Sequence, residues 1–273
     1  MKTRNNIQLT TYAAAQIGRP YWFGTSGQTA TMKLLDQKRK QYPKYYTAKD
    51  FEKQLGQKVH DCFGLVEGCL MSQDENTGAV YNAKYDISAD MAISKCEKSG
   101  KLATLPEIPG LLLWKPGPAG VYLGNGKTVE AKGHKYGVVT TVDTAWQKWG
   151  MMSYWFDYIT IDDFLTGLYI NILNRDPDPS GFEFWKKRLH ERKTDVSKVV
   201  IEFVNSVEFS MMNVPNEYFI RSLYKALFMR DPDPSGLAFW IDNAARYGRD
   251  FVLYGFLASH EWRINAEYYN IIC

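Results

Sequence analysis

His60-Asp61-Cys62-Phe63-Gly64-Leu65-Val66 is the stretch that decides how this chain reads, because a potential nucleophile, a helix cap and an amphipathic helix begin together there. Apolar residues recur at Cys62, Leu65, Val66, Cys69 and Leu70, the i, i+3, i+4, i+7, i+8 spacing of a helix with one buried stripe. The spacing predicts Cys62 in a first helical turn, with Asp61 as the N-cap that accepts orphan backbone N–H groups. The positive end of the macrodipole then favours a thiolate at Cys62. A cysteine on an apolar stripe is also a common small core residue, so the flanking sequence has to separate the two readings.

Working outward, the 273 residues exceed one typical domain, and 45% hydrophobic residues are enough for two cores. The four cysteines, Cys62, Cys69, Cys96 and Cys273, show no C-x-x-C pairing and no histidine at ligand spacing. Neither a zinc site nor a disulfide framework is indicated, and no metal or cofactor is expected. No apolar h-region follows Met1-Lys-Thr-Arg-Asn-Asn, and no stretch approaches the ~18 apolar residues of a membrane span. Residues 1–150 carry 20 Lys and Arg against 13 Asp and Glu, and residues 151–273 carry 13 against 17. The lysines of the basic half are scattered, which suits a solvated face and not nucleic acid.

Residues 7–17 read as a short helix ended by Gly18-Arg19-Pro20. Between Thr25 and Val59 lies a polar, Lys- and Gln-rich insertion with helical stretches at Met32–Tyr42 and Ala48–Leu55, divided at Tyr42-Pro43. It reads as a cover over a site. One further helix is expected near Ala89–Ser99. Four short strands follow, Leu111–Trp114, Ala119–Leu123, Lys127–Ala131 and Gly137–Val142, in an antiparallel meander on which the Cys62 helix would pack.

Arg19-Pro20-Tyr21-Trp22-Phe23-Gly24, Asp61-Cys62-Phe63-Gly64-Leu65-Val66 and Gly120-Val121-Tyr122-Leu123-Gly124-Asn125-Gly126 together resemble the NlpC-type (P-sixty) cysteine peptidases, over roughly residues 8–156. Gln57–Cys62 and Glu130–Gly137 are similar to a branch found in phage lysins and Gram-positive bacteria. The resemblance implies an α+β, papain-like domain over residues 1–158 that acts on the stem peptides of peptidoglycan. It implies Cys62 as nucleophile, Glu130 as the residue that orients a catalytic histidine, and Tyr21 as a hydroxyl near the sulfur, with Tyr21, Trp22 and Asp61 along the substrate cleft. It also implies action at the cell wall, with release by host lysis one route for a phage-borne chain.

The chain departs from that family at one position. Gly117-Pro118-Ala119-Gly120-Val121-Tyr122 stands where Gly-His-x-Gly-x-Tyr is expected, and proline has no titratable group. With Gly124-Asn125-Gly126 as a three-residue loop, Gly120 opposes Glu130 and position 118 lies two residues further on the same face. A two-residue Asn125-Gly126 turn shifts that register by one and separates them. His134 and His60 are the alternative bases. Two functions follow: a peptidoglycan hydrolase of the cysteine endopeptidase or amidase type with a relocated base, or an impaired pseudoenzyme that binds wall or a partner.

The second half repeats itself. Leu168–Trp185 recurs 55 residues later as Leu223–Trp240, with eleven of eighteen positions identical, so residues 159–273 read as a separate all-α tandem. The pattern resembles the bacterial DUF 4214 family and suggests a targeting module for a protein or glycan partner. Asp176, Asp178, Ser180 and Gly181 match the start of a calcium loop, but position 12 is Lys187 in one copy and Asp242 in the other, without the bidentate Glu. A Pro-braced turn with Ser180 as N-cap and Glu183 closing a capping box explains the first copy without an ion.

Overall fold

Asn5 opens the first helix by a reciprocal cap: its side chain accepts from Gln8 N–H, and the Gln8 side chain accepts from Asn5 N–H. This is a computed structural model that describes residues 4–48, 50–142 and 145–273. The chain divides into two units, Met1–Tyr158 and Ile159–Cys273. Unit 1 runs β1 (Arg4–Asn5), α1 (Asn6–Ala15), β2 (Ser26–Thr29), α2 (Met32–Gln41), β3 (Lys58–His60), α3 (Gly64–Met71), α4 (Ala89–Ser94), β4 (Lys98–Lys101), β5 (Leu112–Trp114), β6 (Ala119–Gly124), β7 (Lys127–Ala131), β8 (Val138–Thr141), β9 (Lys148–Met151) and β10 (Phe156–Asp157).

Six of these strands form one antiparallel sheet in the order β4-β9-β5-β6-β7-β8. The period-2 alternation sends Leu112, Val121 and Val129 to the face covered by α1 and α3, where they bury Leu9, Tyr12, Leu65, Val66 and Cys69. Leu111, Leu113, Tyr122 and Trp146 line the opposite face. Each fully buried Leu, Val or Phe in these layers contributes about 1.5–3 kcal/mol over leaving it exposed. The insertion after β2 has a small core of its own, built on Trp22, Leu35, Tyr46, Phe51 and Val59.

Three expectations change here. The helix expected over Ala89–Ser99 stops at Ser94, and Lys98–Lys101 pairs with β9 as an edge strand. Of Ala48–Leu55 a 3-10 turn forms over Phe51–Gln54, and Lys49 lies outside the described residues. The β6–β7 hairpin turns on two residues, Asn125 and Gly126, both with positive φ, and Gly124 pairs with Lys127. A bulge between Tyr122 and Gly124 absorbs the one-residue slip, so Gly120 still opposes Glu130.

Unit 2 is helical throughout: α5 (Ile161–Asn171), α6 (Pro179–His190), α7 (Val196–Val204), α8 (Val207–Met211), α9 (Asn216–Phe228), α10 (Pro234–Ala258, kinked at Gly248) and α11 (His260–Ile272). Its two copies share one set of contacts. Arg175 forks onto Glu208 and lies 4.9 Å from the Tyr169 ring centroid; Arg230 forks onto Glu261 and lies 4.9 Å from that of Tyr224. Asp178 and Asp233, not Ser180, are the N-caps of α6 and α10, and Glu183 closes no capping box. No helix among the described residues is long and apolar enough to cross a membrane, and none of their His, Cys, Asp and Glu side chains gather into a group of three placed to hold a metal.

Candidate active site around Cys62

Cys62 sits in the turn ahead of α3, which starts at Gly64, and not in the first helical turn. The N-cap of α3 is Phe63, without a side-chain cap bond, and Asp61, expected in that place, instead closes the turn ahead of the helix: Oδ1 accepts from Phe63 N–H at 3.1 Å and Gly64 N–H at 2.7 Å, and Oδ2 accepts from Gly24 N–H at 3.0 Å. Gly64 is dictated by close approach, since a Cβ there would lie 2.1 Å from the carbonyl oxygen of Thr25. Burial pushes the Asp61 carboxyl up to about 6, against those three amides.

The electrostatic consequence for Cys62 is the reverse of the expected activation. Burial, and then the neighbouring Asp61 charge, push its thiol up to about 12, and the amides of Phe63, Cys62 and Ala119 offset this in part. The Gly64 N–H, the first of the helix, goes to the Asp61 carboxylate instead of the sulfur. The Cys62 thiol donates to the Gly117 carbonyl at 3.6 Å. Thus both neighbours of Pro118, Gly117 and Ala119, are among the groups that meet the sulfur.

Neither histidine of this unit hydrogen-bonds Cys62. His60 is fully buried, its Nε2 is 3.0 Å from the Tyr12 hydroxyl, its Nδ1 has no hydrogen-bond partner among the described residues, and burial lowers its pKa to about 3. His134 Nε2 pairs with Asp50 Oδ1 at 2.8 Å and its ring packs on Phe51, 4.3 Å between centroids. His134 is absent from the residues that line the cleft at Cys62. Glu130 is buried across from Gly120, where Oε1 accepts from the Thr141 hydroxyl at 3.0 Å and lies 3.4 Å from Lys132 Nζ. The carboxylate is in register, and it holds a threonine and a lysine, not an imidazole.

Tyr21 bridges the backbone of His60, and its hydroxyl is raised first by burial and then by the charges of Cys62 and Asp61. Trp22 cannot touch a substrate. It is fully buried in the core of the insertion and donates from Nε1 to Gln54 Oε1 at 2.6 Å. Asp61 lines the cleft, and both of its carboxylate oxygens accept from backbone amides.

The cleft has a volume of about 730 Å³ and is lined by Cys62, Asp61, Gly117, residues of α2 and the Tyr81–Asp90 segment. Sequence reading missed Glu67 in it. Its Oε2 accepts from the Ser26 hydroxyl at 2.5 Å and its Oε1 from Ile87 N–H at 3.0 Å, and burial pushes it up to about 8. The signal was available, because Glu67 is the one charged residue in Gly64–Met71.

Residues 154–213 and 202–265 match the family described as a domain of unknown function, DUF4214, in two successive copies. No curated protein matches the chain. Among solved structures, the peptidoglycan hydrolase RipB from Mycobacterium tuberculosis is similar at 20% identity with a TM-score of 0.34, over 56% of this chain. The match spans 66% of that structure's chain, just under two thirds of its length.

Proposed function

We propose that residues 1–158 form a papain-like, NlpC-type domain that binds the stem peptides of peptidoglycan without cleaving them efficiently, and that residues 159–273 are its targeting module. The observation that carries this reading is the surroundings of the Cys62 sulfur: a carbonyl, three amides and Asp61, with Pro118 between its nearest neighbours and no imidazole in hydrogen-bond contact. A thiol held near 12 is protonated at neutral pH, and without a general base a peptidase forfeits ~10² to 10⁴ in rate. What remains is the cleft and the wall-directed resemblance of the sequence around it.

The second reading, a cysteine endopeptidase or amidase, is favoured by Cys62 lining the cleft and by Glu130 standing in register opposite Gly120, the placement that a base at position 118 would need. One experiment separates the two. Wild-type chain incubated with purified peptidoglycan should bind it and release no muropeptides, and Pro118→His should gain release that Cys62→Ala abolishes. Release by the wild type, lost on Cys62→Ala, overturns the binding reading in favour of the hydrolase.

A further inference from the structure

The cleft holds donors and acceptors in unequal supply. Asp61 accepts from three backbone amides, and Glu67 from Ser26 and Ile87. Asp86 Oδ2 accepts from the Tyr81 hydroxyl at 2.6 Å, and Asp90 Oδ1 from Trp114 Nε1 at 2.7 Å. Every carboxylate of the cleft therefore already holds a protein donor. The other wall is α2, where Leu34, Gln37, Lys38 and Gln41 recur at i, i+3, i+4, i+7 and line the cleft on one helical face.

Lys38 is half-buried there, and its ammonium makes no hydrogen bond or ion pair with any described residue; it lies 5.5 Å from the centroid of the Tyr42 ring. It faces Asp61, Asp86 and Glu67 through space, and partial burial lowers its pKa. Gln28 accepts from Ser26 N–H at 2.7 Å through Oε1, which leaves its NH₂ to donate. The unused capacity of the cleft is thus on the donor side, and its strongest member is a partly desolvated cation.

We propose that Lys38 is the specificity-determining residue of this cleft and that its ligand is a peptide bearing a free carboxylate. The proposal rests on reading residues 1–158 as a wall-peptide binder. The carboxylate supplies the acceptor that the ammonium lacks, with the α2 glutamines beside it as further donors. A cleft rimmed by acidic residues then selects its ligand by the one cation among its unsatisfied donors.

The test is calorimetric titration of the full chain with a synthetic stem peptide in three forms: all carboxylates free, the C-terminal carboxylate amidated, and the side-branch carboxylate amidated. One amidation should weaken binding about tenfold. Lys38→Gln should bind the free and amidated forms alike, Lys38→Arg should keep the preference, and both should melt with the wild type. Equal binding of all three forms by the wild type, or a preference that survives Lys38→Gln, overturns the role of Lys38 alone. Failure of the wild type to bind any form overturns the wall-peptide reading, and this inference with it.

Discussion

The turn before α3 and the two Asp-Pro turns of the repeat are the same local device in different surroundings. In each, an aspartate at a helix start accepts from the N–H of a glycine three residues on: Asp61, two residues ahead of the Phe63 N-cap, from Gly64 at 2.7 Å, and the N-caps Asp178 from Gly181 at 2.8 Å and Asp233 from Gly236 at 2.8 Å. The electrostatic outcomes are opposite. Backbone and Ser235 or Ser180 donors hold Asp233 and Asp178 below the ordinary carboxylate range, because both side chains stand in solvent. Burial beside the cleft raises Asp61 instead, and the Asp61 charge in turn raises Cys62. The same aspartate-to-glycine bond therefore caps a helix in one unit and, in the other, closes the turn ahead of a helix and keeps a thiol protonated.

The largest effect expected from breaking this comparison is kinetic. At pH 8, Cys62 should react with iodoacetamide on the order of 10³-fold more slowly than an unperturbed thiol, since the thiolate fraction falls with the raised pKa. Asp61→Asn should accelerate it, because the amide carries no charge. Peptide mapping of time-resolved labelling measures both, and fast labelling of the wild type would sink the assignment of Asp61 as a suppressor of the thiol.

Stability gives the next effect in size. Asp61→Ala leaves three backbone amides without their acceptor and should cost about 3 kcal/mol or more in denaturant unfolding. Asp178→Ala and Asp233→Ala, whose amides can turn to water, should cost clearly less. Equal losses in all three would show that burial does not separate the turns.

The smallest effect is a pH dependence whose sign distinguishes the two units. Glu67 is ordinary near 4.5 when unfolded and held at about 8 when folded, so between those values the folded state keeps a proton that the unfolded state has released. Its contribution must fall as pH rises through that window, and Glu67→Gln should flatten the decline and stabilise the chain above pH 8. The exposed caps Asp178 and Asp233 act oppositely, with stabilisation present above pH 4 and lost as pH falls. Thermal melts from pH 4 to 9 on wild type and Glu67→Gln measure this, and superimposable curves would remove Glu67 from the account.

Local rules were legible wherever a few neighbouring residues settle the matter. The helical stripe of Leu65, Val66 and Cys69, the β5–β8 meander and the duplicated Arg-Asp-Pro-Asp-Pro-Ser-Gly turns all follow from spacing and turn chemistry, whereas the N-cap expected at Asp61 falls at Phe63. The Gly120–Glu130 pairing was legible only in outcome. Its expected cause, a three-residue loop, is replaced by a two-residue turn plus a bulge, and sequence pattern does not distinguish two compensating one-residue shifts.

By itself the sequence determined that this chain carries a cysteine at the start of an amphipathic helix, a proline where its resemblance expects a histidine, and a twice-written helical repeat. Only the tertiary structure decided that Trp22 lies in a core and not along the cleft, and that His60 answers to Tyr12 and His134 to Asp50. It alone decided that Glu67 and Lys38 line the cleft at Cys62. The physical reason is that capping and periodicity are settled within a few residues of chain, whereas desolvation and charge depend on segments tens of residues apart meeting at one place, and those terms turn an expected thiolate into a protonated thiol.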